Sequence, residues 1–386
     1  MFAIFRQIPL IDRWIISKLI PILFFAISAF TIVSLSVGVM FDLIRKIAEY
    51  GLPIFIALKI FFLSLPGFLV IAFPMSVLLA CLLTYGSLSA NSEILALKSL
   101  GINNSRIVLP SLILAAFMTF LTFSFNDQLV PISNRLATDL MQNSLGKSMR
   151  TEKGRYNISF SKYGPIIDSN TNKPVDGASH LTHIFYARRF LKKIMYDVTV
   201  IDFSREDKKI LITANNGAFN DKSSSWNFNN GKIIVTQDDG SVSTILFDTY
   251  DYPLDNGPSQ LAKIPRDANN MTISEARKAQ KMYEMSGNIK ESRKMKVRIY
   301  EKMTLPMSCI VFSLIGSTLG IKKNIRSSKS QGFGISIILI FLYYVTCFVF
   351  SSMGVIGLLH PFLAAWIPVF IFLGFGNFLL WKSNRI

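Results

Sequence analysis

Three groups of residues have the types and spacing to do chemistry. Gly146-Lys147-Ser148 matches the tail of a phosphate-binding loop. Position 141, where the first glycine of such a loop belongs, holds Met141, and no strand-like run precedes it, so the match is coincidental. His180 and His183 form an H-x-x-H pair in an alternating segment. A strand sends residues three apart to opposite faces, and no third ligand stands near, so both read as surface histidines and not as a metal site. The third group is NSEILALKSLGINNSRI at 91–107, with Glu93, Lys98 and Arg106 set among Asn and Ser between two strongly apolar stretches. If Asn91 caps a helix there, Glu93 sits in its positive first turn and Gly101 ends it at the C′ position. Ile94, Leu97 and Gly101 then share one face.

No G-x-S-x-G or H-E-x-x-H occurs, and Cys81, Cys309 and Cys347 all lie in apolar stretches. The polar middle therefore has neither a disulfide framework nor a thiolate zinc site. The chain reads as a non-enzyme, with no cofactor or metal of its own.

The elements that must position the third group are membrane spans. Of 386 residues, 51% are hydrophobic and 32 are Phe, with a mean hydropathy of +0.40. The apolar residues gather at both ends and the charged ones in the middle, the pattern of an integral membrane protein with an inserted soluble domain. A net charge of +17 fits positive-inside loops and anionic lipid better than nucleic acid. Runs of about 20 apolar residues place six spans near 15–40, 68–85, 107–125, 305–321, 332–350 and 358–381. Residues 53–67, with Lys59 and Pro66, read as an interfacial segment leading into a span kinked at Pro74. Arg6, Arg13, Lys18, Lys98, Arg106, Lys322, Lys323, Arg326, Lys329, Lys382 and Arg385 fall on one side, which assigns that side and both termini to the cytoplasm. No Asp or Glu falls inside a span, which argues against a proton-coupled carrier. With no ATPase of its own, the chain depends on a partner for energy.

The expected domains are spans one to three over 1–130, with a helix near 87–101; a β domain over 131–270; a basic connecting helix over 271–299; and spans four to six over 300–386. Period-2 runs such as LTHIFYARRF, MYDVTVIDF and WNFNNGKIIVTQ, separated by turn residues, give the β domain an all-β sandwich or open-roll character.

Several stretches resemble the LptF/LptG (YjgP/YjgQ) permease family of lipopolysaccharide export: DRWIISKLIPILF at 12–24, FPMSVLLACLLTYGSLSANSEILALKSLGIN at 73–103, FNDQLVPISN at 125–134, WNFNNGKI at 226–233, RIYEKMTLPMSCIVFSLIGSTLGI at 298–321 and HPFLAAWIP at 360–368. The resemblance implies a six-helix (3 + 3) inner-membrane protein with a periplasmic β-jellyroll over about 131–299. It also implies a cytoplasmic ABC ATPase dimer that binds ATP and Mg, a second permease of the same type, periplasmic jellyroll bridge proteins, and lipopolysaccharide as cargo. In its light, 87–101 is a coupling helix docking in an ATPase groove through Glu93, Ile94, Leu97, Lys98 and Gly101, with Glu93 meeting a basic partner residue. The other reading is a loop helix whose acid only caps. Arg45, Lys46, Lys59 and Arg298 could meet lipid head-group phosphates, or snorkel and balance nearby acids. Ile184, Tyr186, Val198, Val200, Ile210, Ile212 and Phe228 could line a lipid conduit or simply fill a β core. Two other functions stay open: a permease of another ABC-linked lipid or lipoprotein export system, and a membrane scaffold with a periplasmic binding domain.

Overall fold

The computed structural model describes residues 9–149, 155–166, 180–191, 194–205, 207–220, 223–237, 239–254, 257–258, 270–285, 288–321 and 329–384. Arg6, Lys322, Lys323, Arg326 and Arg385, used above for orientation, lie outside them. The chain forms two compact units, one of Met1–Met149, Asn269–Ile273 and Lys296–Ile386, the other of Arg150–Ala268 and Ser274–Met295.

Among the described residues six helical stretches are long and apolar enough to cross a membrane. The first is α1 (Leu10–Leu35), a π-helical turn (Ser36–Met40) and α2 (Phe41–Tyr50). Next comes α3 (Ile54–Ala90), followed by the short α4 (Glu93–Ser99). The third stretch is α5 (Asn104–Ser124), a π turn (Phe125–Leu129) and α6 (Val130–Met149). After the β domain and α7 (Ile273–Met285) come α8 (Ile289–Ile321), α9 (Lys329–Ile356) and α10 (Pro361–Asn384).

Three boundaries differ from the sequence reading. Residues 54–90 form one helix with Pro66 and Pro74 inside it, not an interfacial segment and a separate span. A span can absorb a proline because neighbouring helices and local adjustment restore the lost bonding. Residues 130–149 continue span three as α6 and do not open the β domain; their polar side chains hide a helical stripe. Ala137, Leu140 and Met141 of that stripe cover Leu43, Leu52, Ala57 and Ile60. Gly146-Lys147-Ser148 lies in this helix, which is no setting for a phosphate loop. Finally, 271–299 is two helices, and the second runs unbroken into span four.

Within the spanning unit α8 is the central helix: 78% of its most apolar window is buried, against 17% for α3 and for α9. Close approach to α3 is possible because a Cβ at Gly316 would lie 2.8 Å from the Leu78 carbonyl oxygen, and one at Gly320 2.7 Å from Tyr85 Cβ. Small residues at such spacing let backbones meet where lipid offers no hydrophobic drive.

The β domain is one antiparallel sheet in consecutive order, β1 (Arg155–Gly164), β2 (His180–Leu191), β3 (Ile194–Asp202), β4 (Lys208–Asn220), β5 (Ser225–Gln237) and β6 (Val242–Tyr252). The sheet folds over itself. Phe185 aligns with Val200, then Ile212, then Ile233, which lies seven residues along β5 from Trp226. In a flat sheet that offset alone is about 23 Å, yet the Phe185 and Trp226 rings are 5.0 Å apart.

The fold line is visible in the register. Paired positions skip one residue on each of the six strands, and the skipped residues Asn157, Arg188, Asp197, Asn215, Asn230 and Asp248 lie in a row. Asp197 and Asn230 have φ of 51°, the left-handed region that Asn and Asp enter more readily than other side chains. Across this row inward parity switches: Met195 and Val198 both face the core on β3, as do Phe228 and Ile233 on β5.

Candidate functional site

The polar group at 91–107 folds as a tight corner. Asn91 N–H bonds to the Ser87 carbonyl at 3.0 Å and Ser92 N–H to that of Ser89 at 3.1 Å. Ser92, with φ of 60°, turns the chain into α4 and makes no side-chain cap, so the expected Asn91 cap is replaced by a left-handed turn. The stop is as expected. Gly101, at φ of 80°, gives its N–H to the Lys98 carbonyl at 2.9 Å, and Ile102 gives its own to that of Leu97 at 3.2 Å. This pair of bonds is the Schellman arrangement, which needs a residue without Cβ strain at C′. Lys98 in the last turn suits the negative end of the helix.

The face of α4 expected to dock is instead mostly turned inward. Ile94 is buried, and Leu97 packs against the same cluster, with Tyr85, Leu88, Ile107 and Val108. Both side chains serve as the keel that fixes α4 to the spans. The outward apolar residues are Leu95, 50% exposed, and Leu100, 77% exposed.

Glu93 already has a partner within the chain. Lys18 Nζ donates to Glu93 Oε2 at 2.7 Å, and the same ammonium lies 4.2 Å from the centroid of the Trp14 ring. Asp12, nearly buried, accepts two bonds from the Arg106 guanidinium at 2.6 and 2.8 Å. The corner is tied to other spans as well. Ser89 donates to the Ile321 carbonyl at 3.3 Å, at the end of α8. Asn104 donates to the Ser383 carbonyl at 2.6 Å, at the end of α10. Glu93 thus ties α4 to α1, while Ser89 of α3 and Asn104 of α5, on either side of it, tie the flanking helices to α8 and α10.

The four cations expected at lipid head groups each have an intramolecular neighbour. Arg45 and Lys46 pair with Asp42 at 3.1 and 2.6 Å, Lys59 stands 4.5 Å over the Phe55 ring, and Arg298 meets Glu301 at 2.7 Å. Arg45, whose side chain is 64% exposed, retains most of its surface for other contacts.

Of the seven residues expected in the β interior, Val198, Val200, Ile212 and Phe228 are buried there. Ile210 shares their face through its alignment with Asp202. Ile184 and Tyr186 face outward instead, because Phe185 and Ala187 are the inward residues of β2. Simple alternation left both parities open on that strand. The sequence reading also missed a polar closure at one end of the fold. Tyr252 hydroxyl donates to Asp202 Oδ2 at 2.7 Å, and His183 Nε2 is 3.6 Å from Asp202 Oδ1, so His183 is not the surface histidine expected. Burial alone would raise the Asp202 carboxyl, but bonds from Ser204 and Tyr252 and the nearby imidazole outweigh it and hold the carboxyl below its ordinary value.

Comparison with known proteins gives two findings. The family model described as "Lipopolysaccharide export system permease LptF/LptG" matches residues 13–382. The chain is also similar to the uncharacterized protein RP871 of Rickettsia prowazekii (strain Madrid E), with 22% identity over 271 residues, which cover 68% of this chain and 69% of that protein.

Proposed function

Since this chain belongs to the LptF/LptG family of lipopolysaccharide export permeases, a generally non-catalytic family of multi-pass inner-membrane proteins, we propose that it is the transmembrane subunit of an ABC transporter that extracts lipopolysaccharide from the inner membrane. It works beside a second permease of its type. A separate ATPase dimer supplies the energy and holds the ATP and Mg. The corner at 91–101 lies in the cytoplasm with both termini, and the β domain lies in the periplasm, where it hands the lipid to jellyroll bridge proteins.

The observation that carries this reading is the build of the corner. It presents Leu95 and Leu100 outward while an ion pair from Glu93 and hydrogen bonds from the flanking Ser89 and Asn104 fasten it to α1, α8 and α10. Such a surface suits the groove of a soluble partner, and its tethers suit the transmission of that partner's motion. In this role Ile94 and Leu97 hold α4 to the permease, and Leu95 and Leu100 enter the groove. Glu93 stands at the rim, shared between Lys18 and a cation of the ATPase. Arg45, Lys46, Lys59 and Arg298 lie at the entry for the phosphorylated head group. The apolar interior of the folded sheet, with Val200, Ile212 and Phe228, takes the acyl chains.

Purification of the chain from its native membrane tests this directly. The expected result is a complex with an ATPase and a second permease whose ATP hydrolysis rises when lipopolysaccharide is added in nanodiscs. Isolation without an ATPase, or hydrolysis indifferent to the glycolipid, would overturn the proposal.

A further inference from the structure

The outer face of the β domain carries a trough that the transport reading leaves without a role. Its volume is about 620 Å³, and its walls include Tyr186, Arg188, Thr213, Asn215, Asn230 and Lys232. The fold line of the sheet runs along it, with Arg188, Asp197, Asn215 and Asn230 of that row among its walls, so residues of β2, β3, β4 and β5 border one trough.

The lining chemistry selects among ligands. Val198 and Ala214 border the trough but are buried on the inner face, so they contribute backbone here. The outward side chains are two amides, the hydroxyls of Thr199 and Thr213, an Arg188–Asp197 pair at 3.6 Å, Lys232, the Tyr186 ring and Leu246. An acyl chain would leave these polar groups without water or partners. A bare phosphate would find one net cation, because Asp197 offsets Arg188. Amides and hydroxyls each donate and accept, and that matches a ligand whose own groups do both, with a ring face to lay on Tyr186.

We propose that this trough is a saccharide site, which holds the oligosaccharide of the exported glycolipid against the outside of the sheet whose inside holds its acyl chains. The inference rests on the transport reading above. It assigns the two halves of one amphipathic molecule to the two faces of a wall one sheet thick, where Phe185 points in and Tyr186 points out.

The test uses the full chain in nanodiscs, with benzoylphenylalanine placed at position 228 inside or at position 232 outside. Two probes are offered: an acylated diglucosamine bisphosphate, and the same lipid bearing a core oligosaccharide. Position 228 should label both probes, and position 232 only the second. Asn215→Ala with Asn230→Gly, the latter chosen to keep the left-handed backbone, should lower the label at 232 by about tenfold and leave that at 228 unchanged. Equal label of both probes at 232, or of neither, with 228 labelled by both, overturns the saccharide site alone. No label at 228 from either probe overturns the transport reading beneath it. Saturation-transfer NMR with the deacylated core oligosaccharide on the unlabelled chain needs no inserted probe. Transfer lost in the Asn215/Asn230 variant supports the site, and transfer absent from the parent or kept in the variant overturns it.

Discussion

At the scale of single residues, the pair Lys18–Glu93 is where the proposed coupling is most directly tested. Glu93 was legible from sequence because a lone acid at a helix start, after an Asn and Ser cluster and before a glycine stop, is a recognisable pattern. Lys18 as its partner was not, since the two lie 75 residues apart and only packing of α1 against α3 and α4 brings them together. The pair is part exposed, at 39% and 29%, so as a structural contact it is worth about 0.2–1 kcal/mol. A charge-assisted bond to a desolvated partner cation is worth roughly 1.5–3 kcal/mol, more than tenfold in binding. Glu93→Gln should therefore weaken ATPase association about tenfold or more and change thermal stability little. The exchanged pair Lys18→Glu with Glu93→Lys discriminates further. It should restore any lost stability but not the association, measured by titrating the ATPase onto nanodisc-held permease. Full recovery of association would mean that Glu93 serves only Lys18.

At the scale of elements, the β domain shows what alternation can and cannot convey. The strands and their turns were readable from period-2 runs and Asn, Asp and Gly clusters. The fold line was not, because it depends on a row of residues aligned across six strands, which no strand shows by itself. Ile184 and Tyr186 were assigned to the wrong face for a simpler reason, since alternation on β2 allows either parity and Phe185 and Ala187 are the inward pair. The backbone at Asn230 gives a test of the line. Asn230→Ala should cost about 1 kcal/mol, as left-handed backbone penalises Cβ, whereas Asn230→Gly should be close to neutral; urea unfolding followed by Trp226 fluorescence measures both. The Asp202–Tyr252 bond gives a second. Loss of the hydroxyl in Tyr252→Phe should destabilise the domain by about 1–3 kcal/mol, the usual consequence of leaving a buried acceptor short of a donor. The pH dependence follows from the depressed carboxyl. Its contribution is complete above the unfolded value near 3.8 and falls away as pH drops from there through the lower folded value. The Tyr252 bond favours the charged carboxylate, so the difference between parent and variant should be largest at neutral pH and shrink as acid protonates Asp202, first in the variant and then in the parent, when the same fluorescence assay is run at falling pH.

At the scale of the whole molecule, the six spans were legible because hydropathy registers every long apolar run, whereas the order of packing was not. Nothing in composition marks α8 as the central helix; its Ser308, Ser313, Ser317 and Thr318 make it one of the less apolar spans, yet all four are buried. They are tolerated because Ser308, Ser317 and Thr318 donate to carbonyls one turn back in their own helix, and Ser313 receives the Cys81 thiol of α3 at 3.6 Å. Gly316 then sets the distance to α3, and Ser89 joins the two helices again at Ile321, beside the corner. Held at both points, the α3–α8 pair offers a beam that ends where the ATPase is proposed to press. Gly316→Leu would drive a side chain into the Leu78 carbonyl and should destabilise the unit by about 1–3 kcal/mol, as overpacking does, while the chain still inserts. If the beam transmits the stroke, ATP hydrolysis by the assembled complex should lose its response to lipopolysaccharide although the ATPase still binds. If Gly316→Leu lowers thermal stability in nanodiscs and leaves that response intact, force reaches the lipid by another helix, and α5, which follows the corner directly and is bonded to α1 through Arg106 and to α10 through Asn104, is the next to test.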